Sequence, residues 1–216
     1  MIHIRAFTVN PFEENSYVLH DETGEAVIID PGCYEQSEQS EIKNFISLKN
    51  LQVRYILNTH CHIDHVLGND FVKQQYKVPL LIHPLELPVL KAVKVYAGNY
   101  GFPLYHEVLP DGELTEGVAL QFGKSSLNVL FVPGHSPGHV AFYQPDQKFI
   151  IGGDVLFNRS IGRTDLPGGN HQTLIASIHQ QFFILPDDVV VHPGHGPETT
   201  LGEEKAYNPF CALSIK

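Results

Sequence analysis

The sequence predicts an α/β fold of two similar halves, with two sheets packed face to face and helices outside. Strand-like runs come in two batches, at residues 2–57 and 118–151, and helical segments follow each batch. No linker, low-complexity tract or strong internal repeat separates them. The chain has 216 residues, and a chain of that size buries roughly 70% of its unfolded surface. It is therefore read as one domain, residues 1–216.

Three strands are expected in the first thirty residues, at 2–8, 16–20 and 25–29, the last ending in the turn-forming Asp30-Pro31-Gly32. Residues 35–48 read as a helix, because Ile42, Phe45 and Ile46 recur at i, i+3 and i+4. A buried strand is expected at 53–57, helices at 69–76 and 84–95, and a short strand at 80–83. Residues 96–116, rich in Gly, Pro and Tyr, read as a long surface loop. Strands are then expected at 118–122, 126–132, 140–143 and 149–151, a helix at 171–183, a strand at 189–191, and a polar tail.

Composition narrows the function. The net charge is −10 with histidines neutral, and Lys and Arg are few and scattered. Nucleic acid and anionic membranes both ask for basic surface, so neither is expected as a partner. No apolar stretch approaches the roughly 18 residues of a membrane span, and the N-terminus reads as a strand rather than a signal peptide. Three scattered cysteines, Cys33, Cys61 and Cys211, do not make a disulfide framework, and a cytoplasmic location is expected. The outlying number is 13 histidines against one Met and no Trp.

Some of those histidines cluster. Thr59-His60-Cys61-His62-Ile63-Asp64-His65 follows directly on a strand. In an extended segment residues i and i+2 share a face, so His60 and His62 can reach one metal. A turn into a helix would send Asp64 and His65 to a neighbouring place. Two Pro-Gly-His loops follow other strands and present His135 and His195, and Gly152-Gly153-Asp154 sets a carboxylate past an apolar run. Pro fixes φ and Gly permits unusual φ, so such loops aim a side chain rigidly. The other eight histidines, His3, His20, His83, His106, His139, His171, His179 and His192, read as surface or satisfied core residues.

His-x-His-x-Asp-His, a distant His, an Asp and a final His resemble the signature of the metallo-β-lactamase fold, and the likeness covers nearly the whole chain. It implies a four-layer αβ/βα sandwich with the site at one edge of the sheets. It also implies two divalent metal ions, zinc first with iron or manganese as alternatives. His60, His62 and His135 would hold the first ion, Asp64, His65 and His195 the second, and Asp154 would bridge. Within the superfamily Gly134-His135-Ser136-Pro137-Gly138-His139, Gly152-Gly153-Asp154-Val155-Leu156-Phe157, Ile161-Gly162-Arg163-Thr164-Asp165, Pro193-Gly194-His195-Gly196-Pro197 and Asn208-Pro209-Phe210 resemble single-domain glyoxalase II. No counterpart of the basic helical glutathione-binding domain of two-domain glyoxalases II is expected here, which leaves the thiol carrier open.

Such a site, with Asp64 and Asp154 as its carboxylates, would carry a charge of roughly +1 with a bridging hydroxide. That suits a small anionic substrate. Hydroxide formed near neutral pH would attack a thioester carbonyl, and the thiolate would leave without a strong acid. Cys61 is expected as a packed side chain and Asp30 as an acceptor orienting a ligand histidine. Arg163 is read as a substrate-carboxylate anchor, its alternative being an ion pair with Asp165. Competing readings are a lactonase or other ester hydrolase, and a persulfide dioxygenase with one iron on His60, His135 and Asp154. A nuclease lacks its basic surface. A β-lactamase is disfavoured because His65 follows Asp64.

Overall fold

The computed structural model describes residues 1–213. The chain folds as two compact units, Met1–Leu114 with Gln121–Ser126, and Thr115–Leu120 with Leu127 onward. The first holds a six-stranded sheet in sequential order: β1 (His3–Val9), β2 (Glu14–His20), β3 (Glu25–Ile29), β4 (Gln52–Leu57), β5 (Leu80–Ile82) and β6 (Gly112–Glu113). The first three strands pair antiparallel and the last four pair parallel. Parallel neighbours need crossovers, usually helical. Helix α1 (Gln36–Leu48) joins β3 to β4, α2 (Ile63–Val66) and α3 (Asn69–Tyr76) lead to β5, and α4 (Leu87–Tyr96) follows it.

Sequence explains these elements locally. Glu38 sits in the first turn of α1 and accepts the Glu35 and Tyr34 amides at 2.9 and 2.8 Å, which fixes the helix start. Its Ile42 and Ile46 pack with Val18, Ile28, Ile56, Leu80 and Ile82 of the sheet and with Leu90 and Val93 of α4.

A second six-stranded sheet has the order β14-β13-β10-β9-β8-β7. Its strands are β7 (Leu120–Phe122), β8 (Ser125–Phe131), β9 (Val140–Gln144), β10 (Phe149–Gly153), β13 (Val190–Pro193) and β14 (Thr199–Thr200), and β11 (Leu156–Phe157) and β12 (Ser160–Ile161) form a separate hairpin. Helix α5 (His171–Ser177) runs into a π-helical turn at Ile178–Phe182, and α6 (Leu201–Tyr207) closes the description. Val132, Ala141, Ile150 and Val191 pack with Leu174, Ile178, Phe182 and Leu201. The fold is mixed α/β with two sheets flanked by helices, the class expected. No helix among the described residues is long and apolar enough to cross a membrane.

Four expectations need correction. The loop at 96–116 contains a 3-10 turn (Ala97–Tyr100) and the two-residue strand β6, held by pairing of Leu81 with Gly112 and so invisible to local periodicity. The helix expected at 84–95 begins as a 3-10 turn, Pro84–Glu86. The helix at 171–183 ends as a π turn. The polar tail carries β14 and α6, whose buried side chains include the polar Glu204.

Candidate metal centre

In the first unit the site begins with register. β3 and β4 run parallel with Ile29 opposite Leu57, and the Asp30 amide donates to the Leu57 carbonyl at 2.9 Å. Asp30 therefore stands beside Thr59 at the carboxyl ends of two neighbouring strands, where open α/β sheets gather their functional groups. Its backbone is left-handed, φ 48°. One carboxylate oxygen accepts the Thr59 amide at 2.7 Å, and the other accepts the Thr59 hydroxyl at 2.6 Å and lies 3.1 Å from His65 Nδ1.

The run His60–His65 leaves β4 and enters α2 with His62 as its N-cap in extended conformation. The ring centroids of His60 and His62 are 4.7 Å apart, those of His60 and His65 4.1 Å. Asp64 lies in the first turn of α2, its Oδ2 3.8 Å from His65 Nε2. Asn10 at the β1–β2 turn holds that turn of helix, donating from Nδ2 to the carbonyls of Asp64 (3.0 Å) and Gly32 (3.1 Å). Asp30, His60 and His65 each offer an atom within 4.8 Å of the others. Both Asp30 oxygens are committed to Thr59, so Asp30 acts as the orienting acceptor. With His65 Nδ1–H donating to the Asp30 carboxylate, the ring's lone pair lies on Nε2, the tautomer a metal takes.

Cys61 is fully buried in the core between the two histidines. Burial, then the charges of Glu86 and Asp30, push its thiol well above the usual range. It is the packed, inert side chain the sequence suggested. Glu14, which the sequence reading passed over, is fully buried, accepts Ser16 Oγ at 2.9 Å and reaches within 3.8 Å of His65 Nδ1. Burial drives its carboxyl well above the usual carboxylate range.

In the second unit His135 sits in the loop joining β8 to β9. Gly134 has φ 132°, and a Cβ there would strike the backbone of Leu174 in α5, so only glycine lets the loop press against that helix. The Gly134 carbonyl accepts the amide of Asn170, the N-cap of α5, at 2.7 Å. His135 Nδ1 donates to the Arg163 carbonyl at 2.7 Å, which puts the ring's lone pair on Nε2. β10 and β13 run parallel, with a register shift between Ile151 and Gly153. Asp154 and His195 thus emerge from the ends of neighbouring strands, tied by Gly194 N to Gly153 O at 2.8 Å.

Two imidazoles converge on one oxygen there. His135 Nε2 is 3.5 Å and His195 Nε2 3.6 Å from Asp154 Oδ2. Those separations are long for hydrogen bonds. They suit ligands round one ion, since tetrahedral bonds of about 2.0–2.1 Å set donor atoms about 3.3 Å apart. The donor set, imidazole and carboxylate with oriented tautomers, fits a divalent metal. His139, expected from the sequence to be a surface or satisfied core residue, is fully buried. Its Nε2 accepts the Asp154 amide at 3.0 Å. The doubled Gly-His in Gly134-His135-Ser136-Pro137-Gly138-His139 was the available signal. Gly162 has its own reason: a Cβ there would strike the Asp154 carbonyl.

The Arg163 guanidinium forms the exposed ion pair weighed as its alternative role, with Nε and Nη2 each 2.7 Å from Asp165. That hydrogen bond to Arg163 holds the Asp165 carboxyl down at about 2. No sequence motif marks the other role of Arg163, whose main-chain carbonyl sets His135.

Residues 9–195 match the metallo-β-lactamase superfamily, and the chain belongs to that superfamily. It is 38% identical over 207 residues to the "Probable metallo-hydrolase YqgX" of Bacillus subtilis, covering 95% of this chain and 96% of that one. It is 35% identical over 211 residues to the hydroxyacylglutathione hydrolase GloC of Haemophilus influenzae, covering 97% and 98%. Among solved structures it is similar to the BLEG-1 B3 metallo-β-lactamase, with TM-score 0.88, 36% identity and coverage of 97% and 99%. It is also similar to TTHA1623 in a di-iron-bound form, with TM-score 0.84, 39% identity and coverage of 95% and 99%.

Proposed function

We propose that this protein is a two-metal hydrolase that cleaves 2-hydroxyacyl thioesters such as lactoyl-glutathione, as glyoxalase II does. The convergence of His135 and His195 on one oxygen of Asp154 carries the metal reading. In this reading His60, His62 and His135 would hold one ion, Asp64, His65 and His195 would hold the second, and Asp154 would be shared between them. Zinc is the metal proposed. Iron and manganese suit the same donors, and the similarity to a di-iron protein keeps iron in the test below. The similarity to GloC supports the thioester.

When bound, such ions supply Lewis acidity and bring the pKa of coordinated water to about 7. The chain's own residues then do the holding. Asp30 fixes the His65 tautomer, the Arg163 carbonyl fixes that of His135, and the His139 ring and the close pass of Gly162 fix the Asp154 backbone. Asp64 and Asp154 are the carboxylates of the centre. A thiolate leaves readily, so no strong acid is asked of the protein, and the protonated Cys61 is not the nucleophile. The Arg163 guanidinium, already arranged to grip a carboxylate as a fork, would exchange Asp165 for a carboxylate of a small anionic substrate.

The test is a panel of one thioester (lactoyl-glutathione), one lactone and one cephalosporin, assayed with metal-loaded protein. kcat/KM for the thioester is expected to lead by about a hundredfold. A lead for the lactone or the cephalosporin would overturn the substrate assignment while leaving the metal centre in place.

A further inference from the structure

The ends of three adjacent parallel strands meet around the ligand run. β3 delivers Asp30, β4 delivers Thr59 to His62, and β5 is followed at once by the turn Pro84–Glu86. Asp30 takes the Thr59 amide at 2.7 Å. Glu86 Oε2 takes the Cys61 amide at 2.8 Å. The backbone is thus gripped by a carboxylate on each side of His60 and immediately before His62. Glu86 is fully buried. Its turn is anchored, with Pro84 at the first helical position, the Leu85 amide on His83 Nδ1 at 3.3 Å and the Glu86 amide on the His83 carbonyl at 2.9 Å. Helix α4 continues from it and buries Leu90 and Val93.

A buried carboxylate is costly unless hydrogen bonds or an opposite charge meet it. A neutral amide side chain could accept the Cys61 amide without that cost. We propose that Glu86 is a positioning residue for the pair His60 and His62, and that its negative charge strengthens their hold on a cation. The proposal rests on the metal reading given above. It extends that reading to a residue outside the ligand motif, on a different strand end, acting through the Cys61 backbone.

The experiment compares wild type, Glu86→Gln and Glu86→Ala as metal-free proteins titrated with zinc against a chromophoric chelator. Thermal unfolding of each metal-free form and the visible spectrum of each cobalt(II) form are recorded alongside. Glu86→Gln keeps an acceptor for Cys61 and loses the charge. It is expected to unfold with the wild type yet bind zinc ten- to a hundredfold more weakly, the range typical of groups behind a ligand. Glu86→Ala is expected to bind more weakly still and to shift the cobalt spectrum. Unchanged zinc affinity in both variants would overturn the proposal. So would a loss confined to Glu86→Ala and matched by lower metal-free stability, which would make Glu86 a structural acceptor only. A wild-type protein that took up no metal would instead overturn the metal centre itself, and Glu86 with it.

Discussion

At Asp154 the side chain and the backbone are restrained by different residues. His135 and His195 face the carboxylate, while His139 and Gly162 hold the main chain. Asp154→Ala is therefore expected to abolish most turnover and to lower bound metal per chain, with the circular dichroism spectrum unchanged. Wild-type metal content and turnover in that variant would remove Asp154 from the centre. His139→Ala should act more gently, costing ten- to a hundredfold in metal affinity or activity. Arg163 separates its two roles cleanly, because His135 is held by the carbonyl and not by the guanidinium. Arg163→Ala is expected to raise KM for a thioester with a distant carboxylate and to spare kcat, the form taken by lost uniform binding. A drop in thermal stability with KM unchanged would leave Arg163 as the partner of Asp165 alone.

Among the elements, what the sequence made legible follows from contiguity. The runs Glu25–Ile29 and Asn69–Tyr76 have the bounds expected of them, because an apolar run ending in Asp-Pro-Gly and a compact helical period are local signals. The proposed ligands were legible for the same reason, four of them falling within six residues and two on Pro-Gly turns. The supports were not. Glu86, Glu14, Asn10 and the Arg163 carbonyl reach the proposed ligands through strand register or through the main chain, and neither leaves a motif. The position of Asp30 at a strand end suggests an orienting acceptor, yet its partners, Thr59 and His65, emerge only once β3 lies beside β4. Asp21 is another such case. It follows β2 and accepts the Thr23 and Lys124 amides and the Thr23 and Ser125 hydroxyls. Burial opposes its ionisation, but those hydrogen bonds prevail and hold its carboxyl at about 2, below the ordinary 3.8. A folded value below the unfolded one adds stability above pH of about 4, lost as pH falls toward about 2. Asp21→Asn should flatten the fall of melting temperature across that window. An acid slope equal to the wild type's would contradict the role given to those hydrogen bonds.

For the whole molecule the governing contrast is between an acidic chain, net −10, and a centre that two divalent ions would make locally cationic. Substrate choice then falls to the centre and its loops, since the surface as a whole repels anions at long range. The proposed hydrolysis by a two-metal site stands against oxygen chemistry at a single iron on His60, His135 and Asp154. The physics of the metals divides the two: hydrolysis asks for Lewis acidity and no redox change, whereas zinc has no redox chemistry to offer an oxygenase. The most direct measurement reconstitutes metal-free protein separately with zinc and with ferrous iron. Thioester loss is followed with lactoyl-glutathione, and oxygen uptake with glutathione persulfide. Two metals per chain, thioester cleavage by the zinc form and no oxygen uptake by either form are expected. Oxygen consumption by the iron form, with no thioester cleavage by either, would contradict the proposed hydrolysis.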